Sequence, residues 1–388
     1  MMRDATLTVH HPKVDDREFA SLAPGVERAS TIVFDSAAAY ATRGQRDLDS
    51  YSYGMHGTPT QRVLEAQLTA LEGGAKTVVL PSGQAAIAVV FLSVLKPGDH
   101  VLVAETAYPP VAGLCRNFLD TLGIVWSTYP PGTGAAIADH IRPETRLIWT
   151  ESPGSTTMEI EDIPAIVKVA KAKGIYTGID NTWATPLLFK PLAHGVDFSM
   201  QALTKYPGGH SDILMGSVSV SDPDLRKGLR DVMRMLGFHT APDAISLVLR
   251  GLETMAVRLA HAGRVATDLA FAIDSAYPVE VLTPVLPDSP GHVLWKRDFI
   301  GASGLFSVVL PEAWESRLDA ALDALEVFAI GASWGGTRSL IAPMSVAAHR
   351  VTSEPRNSRI ILRLSIGLED PKDLKADLDR FFGILAEA

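Results

Sequence analysis

Two apolar runs of the chain end in groups that can do chemistry. The run 175–179 closes on Asp180, and the run 196–201 leads into Thr204-Lys205-Tyr206 and a glycine-rich turn. In an α/β sheet, functional groups collect just past the carboxyl ends of parallel strands. Two such ends would set a fixed anion and an amine in one crevice. A lysine there can form a Schiff base with a carbonyl compound, and the carboxylate can pair with a protonated pyridine ring. A surface salt bridge between two loops would satisfy the same two residues.

Three further places add to this pair. Pro81-Ser82-Gly83-Gln84 follows a short β-rich run and opens an apolar helix. Free amides at a helix start attract anions, and glycine lets the backbone approach closely. Tyr108 stands just past the run 101–104, where a ring can stack on a flat group and a phenol can pass a proton. Arg363 lies inside the apolar run 360–366, where a charge is costly without a partner. Its planar fork suits a carboxylate held by two hydrogen bonds, although a structural ion pair would also explain it. The histidines are scattered without metal-ligand spacing, so no metal is expected.

These groups need a scaffold of alternating strands and helices, and the pattern supplies one. The first clear helix starts at Thr58-Pro59-Thr60-Gln61, with a capping residue, a proline in the first turn and Gln61 placed to complete a capping box. Leu64, Leu68 and Leu71 share one face, and Gly73-Gly74 ends it. Strands are expected at 77–80, 101–104, 124–129, 147–150, 175–179 and 196–201, with helices to 95, at 109–122 and at 162–173. Such alternation argues for an α/β fold, a mostly parallel sheet flanked by helices. A long helix at 242–273 leads to a second unit with apolar runs at 305–310, 327–331 and 360–366 and helices near 313–325 and 371–386. The expected division is an N-terminal arm, 1–57, a large domain, 58–255, and a smaller α+β C-terminal domain, 256–388. The arm lacks clean periodicity and is expected to lie on a partner subunit.

Bulk composition narrows the function classes. A chain of 388 residues, 47% hydrophobic, can bury a large core and is long for one domain. A net charge of −9 without basic runs disfavours nucleic acid and anionic membrane surfaces as partners. The single Cys115 cannot form an intrachain disulfide, fits a reducing cytoplasm, and falls in an apolar-periodic stretch that points to a buried helical position. The first residues are charged and resemble no signal peptide, and no apolar run approaches the length of a membrane span.

Thr204-Lys205-Tyr206, Gly209-His210-Ser211-Asp212 and Asp180-Asn181-Thr182-Trp183 together resemble the cysteine and methionine metabolism family of pyridoxal-phosphate enzymes. Glu151-Ser152-Pro153-Gly154-Ser155, Ser333-Trp334-Gly335-Gly336, Arg363-Leu364 and Ile366-Gly367-Leu368-Glu369-Asp370 extend the likeness from about Tyr51 to the C-terminus. The resemblance implies fold type I, with an aspartate aminotransferase-like large domain, and pyridoxal phosphate as cofactor. It implies that Lys205 carries the cofactor, Asp180 pairs with its ring nitrogen and Tyr108 stacks on it. Ser82, Gly83, Gln84 and Thr204 would hold its phosphate, joined by Tyr53 from a neighbouring subunit. Arg363, Ser333, Trp334 and the neighbouring subunit's copy of Tyr53 would line the substrate pocket, with Lys205 and Tyr108 catalytic. The implied activity is a carbon–sulfur lyase splitting the thioether cystathionine by α,β-elimination to homocysteine, pyruvate and ammonia. The alternatives are γ-elimination or γ-replacement on methionine- or homoserine-derived substrates, or a non-catalytic binding descendant. The implied assembly is a cytoplasmic homotetramer built of dimers with shared active sites.

Departures from the family pattern border the substrate side. Met55 stands where a phosphate-binding arginine is common, Ala332 where a tyrosine is common, and Thr337-Arg338 follow the paired glycines. A cation at Arg338, in a glycine-softened turn, could swing toward the pocket mouth and favour a second carboxylate on the substrate. A solvated surface arginine is the competing reading.

Overall fold

The computed structural model describes residues 3–12, 21–350 and 359–387. Seven strands form the larger sheet: β1 (Lys76–Leu80), β2 (His100–Ala104), β3 (Val125–Tyr129), β4 (Thr145–Glu151), β5 (Tyr176–Asp180), β6 (Phe198–Ala202) and β7 (Gly216–Val220). Their order is β1-β7-β6-β5-β4-β2-β3, parallel throughout except for β7, which runs antiparallel to both neighbours. Strand β2 is buried along its whole length and apolar from Val101 to Ala104, as expected for a parallel strand covered on both faces. The helix Gly83–Val94 is apolar on all sides because it is wedged between this sheet and the helix Leu225–Leu236. Strand β7 and the helix Leu225–Leu236 had no counterpart in the sequence reading. Its serines alternate with valines, Ser217 and Ser219 facing a buried polar layer in which Ser219 meets Thr77 at 2.7 Å.

The smaller sheet holds β8 (Glu280–Leu282), β9 (Leu305–Val309), β10 (Ala329–Ile330), β11 (Leu340–Met344) and β12 (Ile361–Ser365), in the order β10-β11-β12-β9-β8. Strand β11 escapes a sequence reading because Pro343 argues against a central strand. The helix Pro371–Ala386 packs Leu374, Leu378, Phe381 and Phe382 onto this sheet. Each such side chain contributes roughly 1.5–3 kcal/mol when fully buried.

The helix Pro242–Ala276 joins the two cores. Ile245, Leu249 and Leu252 pack with Leu64 and Tyr206, whereas Val265, Leu269 and Ile273 pack against the smaller sheet. The boundary expected after residue 255 falls inside this helix. Gly251 is needed there: a Cβ would stand 2.3 Å from the Pro207 carbonyl oxygen, in the turn just beyond Lys205.

The N-terminal stretch holds short helices, Asp4–Leu7 and Ala37–Ala41, and is largely exposed from 21 to 53. The helix Pro59–Glu72 ends on Gly73 in the left-handed region, as its sequence predicts. The capping box does not form. The Thr58 hydroxyl makes no cap bond, and Gln61 turns to Glu65 at 2.9 Å. Cys115 is buried within a π turn following the helix Pro109–Leu114, and burial pushes its thiol up to about 12. Among the described residues no helix is long and apolar enough to cross a membrane, and no cluster of ligating side chains could hold a metal.

Candidate active site

The parallel strands deliver their carboxyl ends to one cavity of about 610 Å³, closed on its far side by the turn before β11. Such a volume suits a small cofactor with a small substrate. Ser82, Gly83, Gln84, Tyr108, Asp180, Thr204, Lys205, Ser333, Trp334 and Arg363 all line it, so the fold brings together every expected site residue except Tyr53.

Asp180 ends β5 and is buried. Its Oδ1 accepts the Thr182 backbone N–H at 3.0 Å and the Thr182 hydroxyl. Burial raises its proton affinity, while those two bonds and the nearby Lys205 pull it back. Asn181 and Trp183 hold the surrounding turn, Asn181 by donating to the Phe189 carbonyl at 3.0 Å and Trp183 to the Leu305 carbonyl at 3.2 Å.

Lys205 follows β6, and its Nζ donates to the Ser333 hydroxyl at 2.5 Å while lying 5.3 Å from the centre of the Trp334 ring. Burial and the Arg363 guanidinium lower its pKa to about 8, with Asp180 opposing them. The amine is thereby closer to its nucleophilic neutral form at neutral pH. Gly335, at φ +80°, allows the opposing turn to lie on the Lys205 backbone, where a Cβ would come within 3.1–3.3 Å.

Ser333 ties the two sheets together. Its φ of +74° is strained for a residue with a side chain. In that conformation its hydroxyl meets Lys205 while its carbonyl accepts Arg363 Nη2 at 3.1 Å. Arg363 rises from β12, has no carboxylate partner among the described residues, and loses proton affinity through burial, with Tyr108 partly restoring it. A half-buried guanidinium with open donors is suited to an incoming carboxylate.

At the opposite end, Ser82 caps the helix Gly83–Val94 by accepting the Ala85 N–H at 3.1 Å. A Cβ on Gly83 would approach Ala202 and Met200 at 3.0 Å, so the helix start sits directly against β6. The Gln84 carboxamide donates to the Pro110 carbonyl at 3.2 Å. The Thr204 hydroxyl donates to the Met215 carbonyl at 3.2 Å and accepts the Met215 N–H at 3.1 Å, which occupies its proton within the protein. Among the described residues the only cationic side chains lining the cavity are Lys205 and Arg363, so an anion at the helix start relies on backbone amides and hydroxyls.

Tyr53 is 48% exposed and lies outside this cavity, and Arg338 is exposed and likewise absent from its lining. His210 donates from Nδ1 to the Gly208 carbonyl at 2.7 Å, within its own turn. The residue that sequence reasoning missed is Glu151. It ends β4 in register with Asp180 and lines the cavity. An acid closing an apolar run was the signal used for Asp180, and it applied equally here.

A buried acid for a ring nitrogen, a desolvated amine for an aldehyde and a helix start for a phosphate fit pyridoxal phosphate. The comparisons agree. Residues 5–383 match the family described as Cys/Met metabolism PLP-dependent enzyme. Cystathionine beta-lyase MetC of Escherichia coli (strain K12) is 41% identical over 366 residues, 92% of each chain. An L-alanine/L-glutamate racemase of Wolbachia pipientis wMel is 38% identical over 374 residues, 92% of each chain. The crystal structure of cystathionine gamma synthase from Xanthomonas oryzae pv. oryzae in complex with cystathionine superposes with a TM-score of 0.91 at 31% identity, covering 99% of each chain. The chain belongs to the Cys/Met metabolism family of enzymes, whose cofactor is pyridoxal phosphate.

Proposed function

We infer that this chain is a carbon–sulfur lyase that cleaves cystathionine by α,β-elimination, consuming water and giving homocysteine, pyruvate and ammonia. The observation that carries the reading is the convergence of a desolvated Lys205, a buried Asp180 and an Arg363 without a carboxylate partner among the described residues, all lining one cavity. The relatives named for this reaction supply the substrate class.

Lys205 would hold pyridoxal phosphate covalently, Asp180 would sit at its ring nitrogen, and Ser82, Gly83, Gln84 and Thr204 would receive its phosphate. Bound there, the cofactor supplies an electron-withdrawing ring that spreads the charge left when a bond to the substrate α-carbon breaks. Arg363 holds the α-carboxylate, and the Ser333 carbonyl fixes the guanidinium that does so. The Lys205 amine would remove the substrate α-proton and return a proton to the departing homocysteine sulfur. Tyr108, next to Arg363, closes the side of the pocket open to solvent and is the second group placed to carry a proton.

Tyr53 reaches outward on an exposed arm, which supports an assembly in which it completes a neighbour's site, a homotetramer of dimers being the expected form. The single buried cysteine suits action in the cytoplasm. The large and small domains, divided near 255, would each carry one wall of the pocket. The deciding experiment offers cystathionine, cystine and methionine to the purified enzyme and identifies the keto acid. Pyruvate with homocysteine supports this reading. 2-Oxobutyrate would replace it with γ-elimination, and no product from any substrate would point to a binding descendant.

A further inference from the structure

Glu151 takes no part in the steps above, yet it stands among the residues that do. It pairs in register with Asp180 across β4 and β5, and among the described residues these two are the only acids lining the cavity. Its Oε2 accepts the backbone N–H of Tyr108 at 2.6 Å. Tyr108 immediately precedes the helix Pro109–Leu114, and its carbonyl is already engaged by the Val111 N–H at 2.8 Å. The Glu151 carboxyl therefore ties the start of that helix to the sheet. The Tyr108 ring, 46% exposed, depends on this backbone for its place at the pocket mouth.

Two neighbouring carboxylates in a low-dielectric floor do not both stay ionised. The donors decide which one keeps its charge. Asp180 receives two hydrogen bonds from Thr182 and faces Lys205. Glu151 receives one backbone N–H; the cation that bears on it, Arg350, is drawn toward Glu159 at 3.7 Å.

The geometry points to Glu151 as a positioning residue held as the neutral acid: its carboxyl clamps the Tyr108 backbone, and its proton leaves Asp180 the single anion on the cavity floor. Burial first, and Asp180 second, push the Glu151 carboxyl well above the ordinary carboxylate range, which Tyr108 and Arg350 offset only in part. The inference rests on the cavity being the pyridoxal-phosphate site. An ionised Glu151 would add a second negative charge beside the group that holds the ring nitrogen. A neutral one supplies reach and a hydrogen bond without that charge.

The test compares Glu151→Gln, Glu151→Asp and Glu151→Ala with wild type in the loaded enzyme, each checked for folding by circular dichroism. Three quantities are read: the cofactor dissociation constant, the pH midpoint of the cofactor's visible absorbance, and KM for cystathionine. Glu151→Gln keeps the shape and the neutral charge, so its midpoint and dissociation constant should match wild type. Removing an ionised carboxylate this close would lower the midpoint by about one pH unit or more, and that result overturns the proposal. Glu151→Asp is one methylene too short to reach Tyr108, and Glu151→Ala lacks the acceptor. Both should raise KM roughly threefold to tenfold, the worth of one hydrogen bond, while the visible band persists. Wild-type KM in both variants would show that Glu151 positions nothing. Should Glu151→Ala fail to fold, Glu151→Asp carries that arm. The absorbance and cofactor-binding arms stand even if cystathionine proves not to be the substrate, which separates failure of this proposal from failure of the functional reading.

Discussion

Glu65 and Glu151 are both deeply placed carboxyl groups, and their surroundings drive them in opposite directions. Glu65 accepts Arg62 at 2.6 Å and Arg230 at 2.8 Å on both oxygens. Burial pushes it up, but Arg230 and Arg62 outweigh burial and hold it below the ordinary value. The network extends through Asp49, which bonds Arg226 at 2.6 Å and Lys76 at 2.9 Å and is lowered to about 2 despite the cost of burial. Glu151 and Asp180 form no salt bridge among the described residues, feel Arg350 and Lys205 only at longer range, and both are raised. In the first cluster each acid is paired with two or more cations, and the cluster anchors the helices Pro59–Glu72 and Leu225–Leu236 to the base of the arm. The second is left with protons to place and donors to fill, the condition that perturbed groups share at reactive sites. Burial alone does not separate structure from chemistry; whether the charge is matched does.

The largest expected effect lies in the unmatched cluster. Lys205→Ala should lower kcat by about a thousandfold or more, because both the attachment point and the proton carrier are lost. The folded protein should persist, since a desolvated amine contributes little to stability. Pyruvate release measures the first, and thermal unfolding the second. Borohydride reduction of wild type followed by peptide mapping should find the cofactor on Lys205, and another lysine would break the comparison at its root.

The matched cluster should respond in the opposite sense. Glu65→Gln leaves Arg62 and Arg230 buried without their anion and should cost roughly 3–5 kcal/mol. Denaturant unfolding at fixed protein concentration reads the loss. The cofactor's absorbance should be unchanged in the fraction that stays folded. A stable Glu65→Gln protein with altered cofactor absorbance would mean that the two clusters are coupled, not separate.

Glu72 offers an intermediate case, a buried acid hydrogen-bonded by neutral side chains, with Lys190 acting on it at a distance. Its Oε1 accepts Ser199 at 3.1 Å and Gln201 at 2.6 Å, while Oε2 has no partner among the described residues. Burial raises it from 4.5 to about 7, with Ser199, Gln201 and Lys190 opposing. Between those two values the folded chain keeps a proton that the unfolded chain has released. Its contribution is therefore intact below the lower value and is lost as pH rises through the higher one, by roughly 3 kcal/mol. Glu72→Gln should reduce the fall in melting temperature between pH 5 and pH 8. An unchanged slope would assign that pH dependence to other groups.

The sequence exposed the floor of the site more fully than its rim. Asp180 and Lys205 were legible because apolar runs deliver them to strand ends, and Arg363 because a lone charge in an apolar run needs an explanation. Ser333 was named from the family likeness, but its φ of +74° was not legible, since backbone strain in a non-glycine residue leaves no mark in composition. Glu151 carried the same mark as Asp180, yet it was read only as the first residue of a motif shared with the family and given no role. The Thr58 cap failed because a local motif competes with tertiary partners: Gln61 finds Glu65 instead. The antiparallel β7 and the proline-containing β11 lay beyond rules that count alternation and penalise proline.

The smallest expected effects separate two arginines of the C-terminal sheet region. Arg363 lines the cavity, is oriented by the Ser333 carbonyl at 3.1 Å and has lost part of its hydration. Arg363→Lys keeps the charge but loses the fork, so kcat/KM should fall on the order of tenfold to a hundredfold on every amino-acid substrate. Arg338 lies a few residues past Trp334, in a segment pinned from both sides: Leu368 donates to the Thr337 carbonyl at 2.9 Å, and the Ser339 N–H donates to Glu369 at 2.7 Å. Its side chain is exposed, lies outside the cavity lining, and has no hydrogen bond or ion pair among the described residues. Exposed charges of this kind are worth about 0.5 kcal/mol or less. Arg338→Gln should therefore change kcat/KM less than threefold, for cystathionine and for a β-substituted alanine without a second carboxylate alike. A loss confined to cystathionine would mean that the exposed turn folds inward over the far end of the substrate. Arg338 would then belong with the unmatched charges of the site, and the rim would carry specificity that the floor cannot.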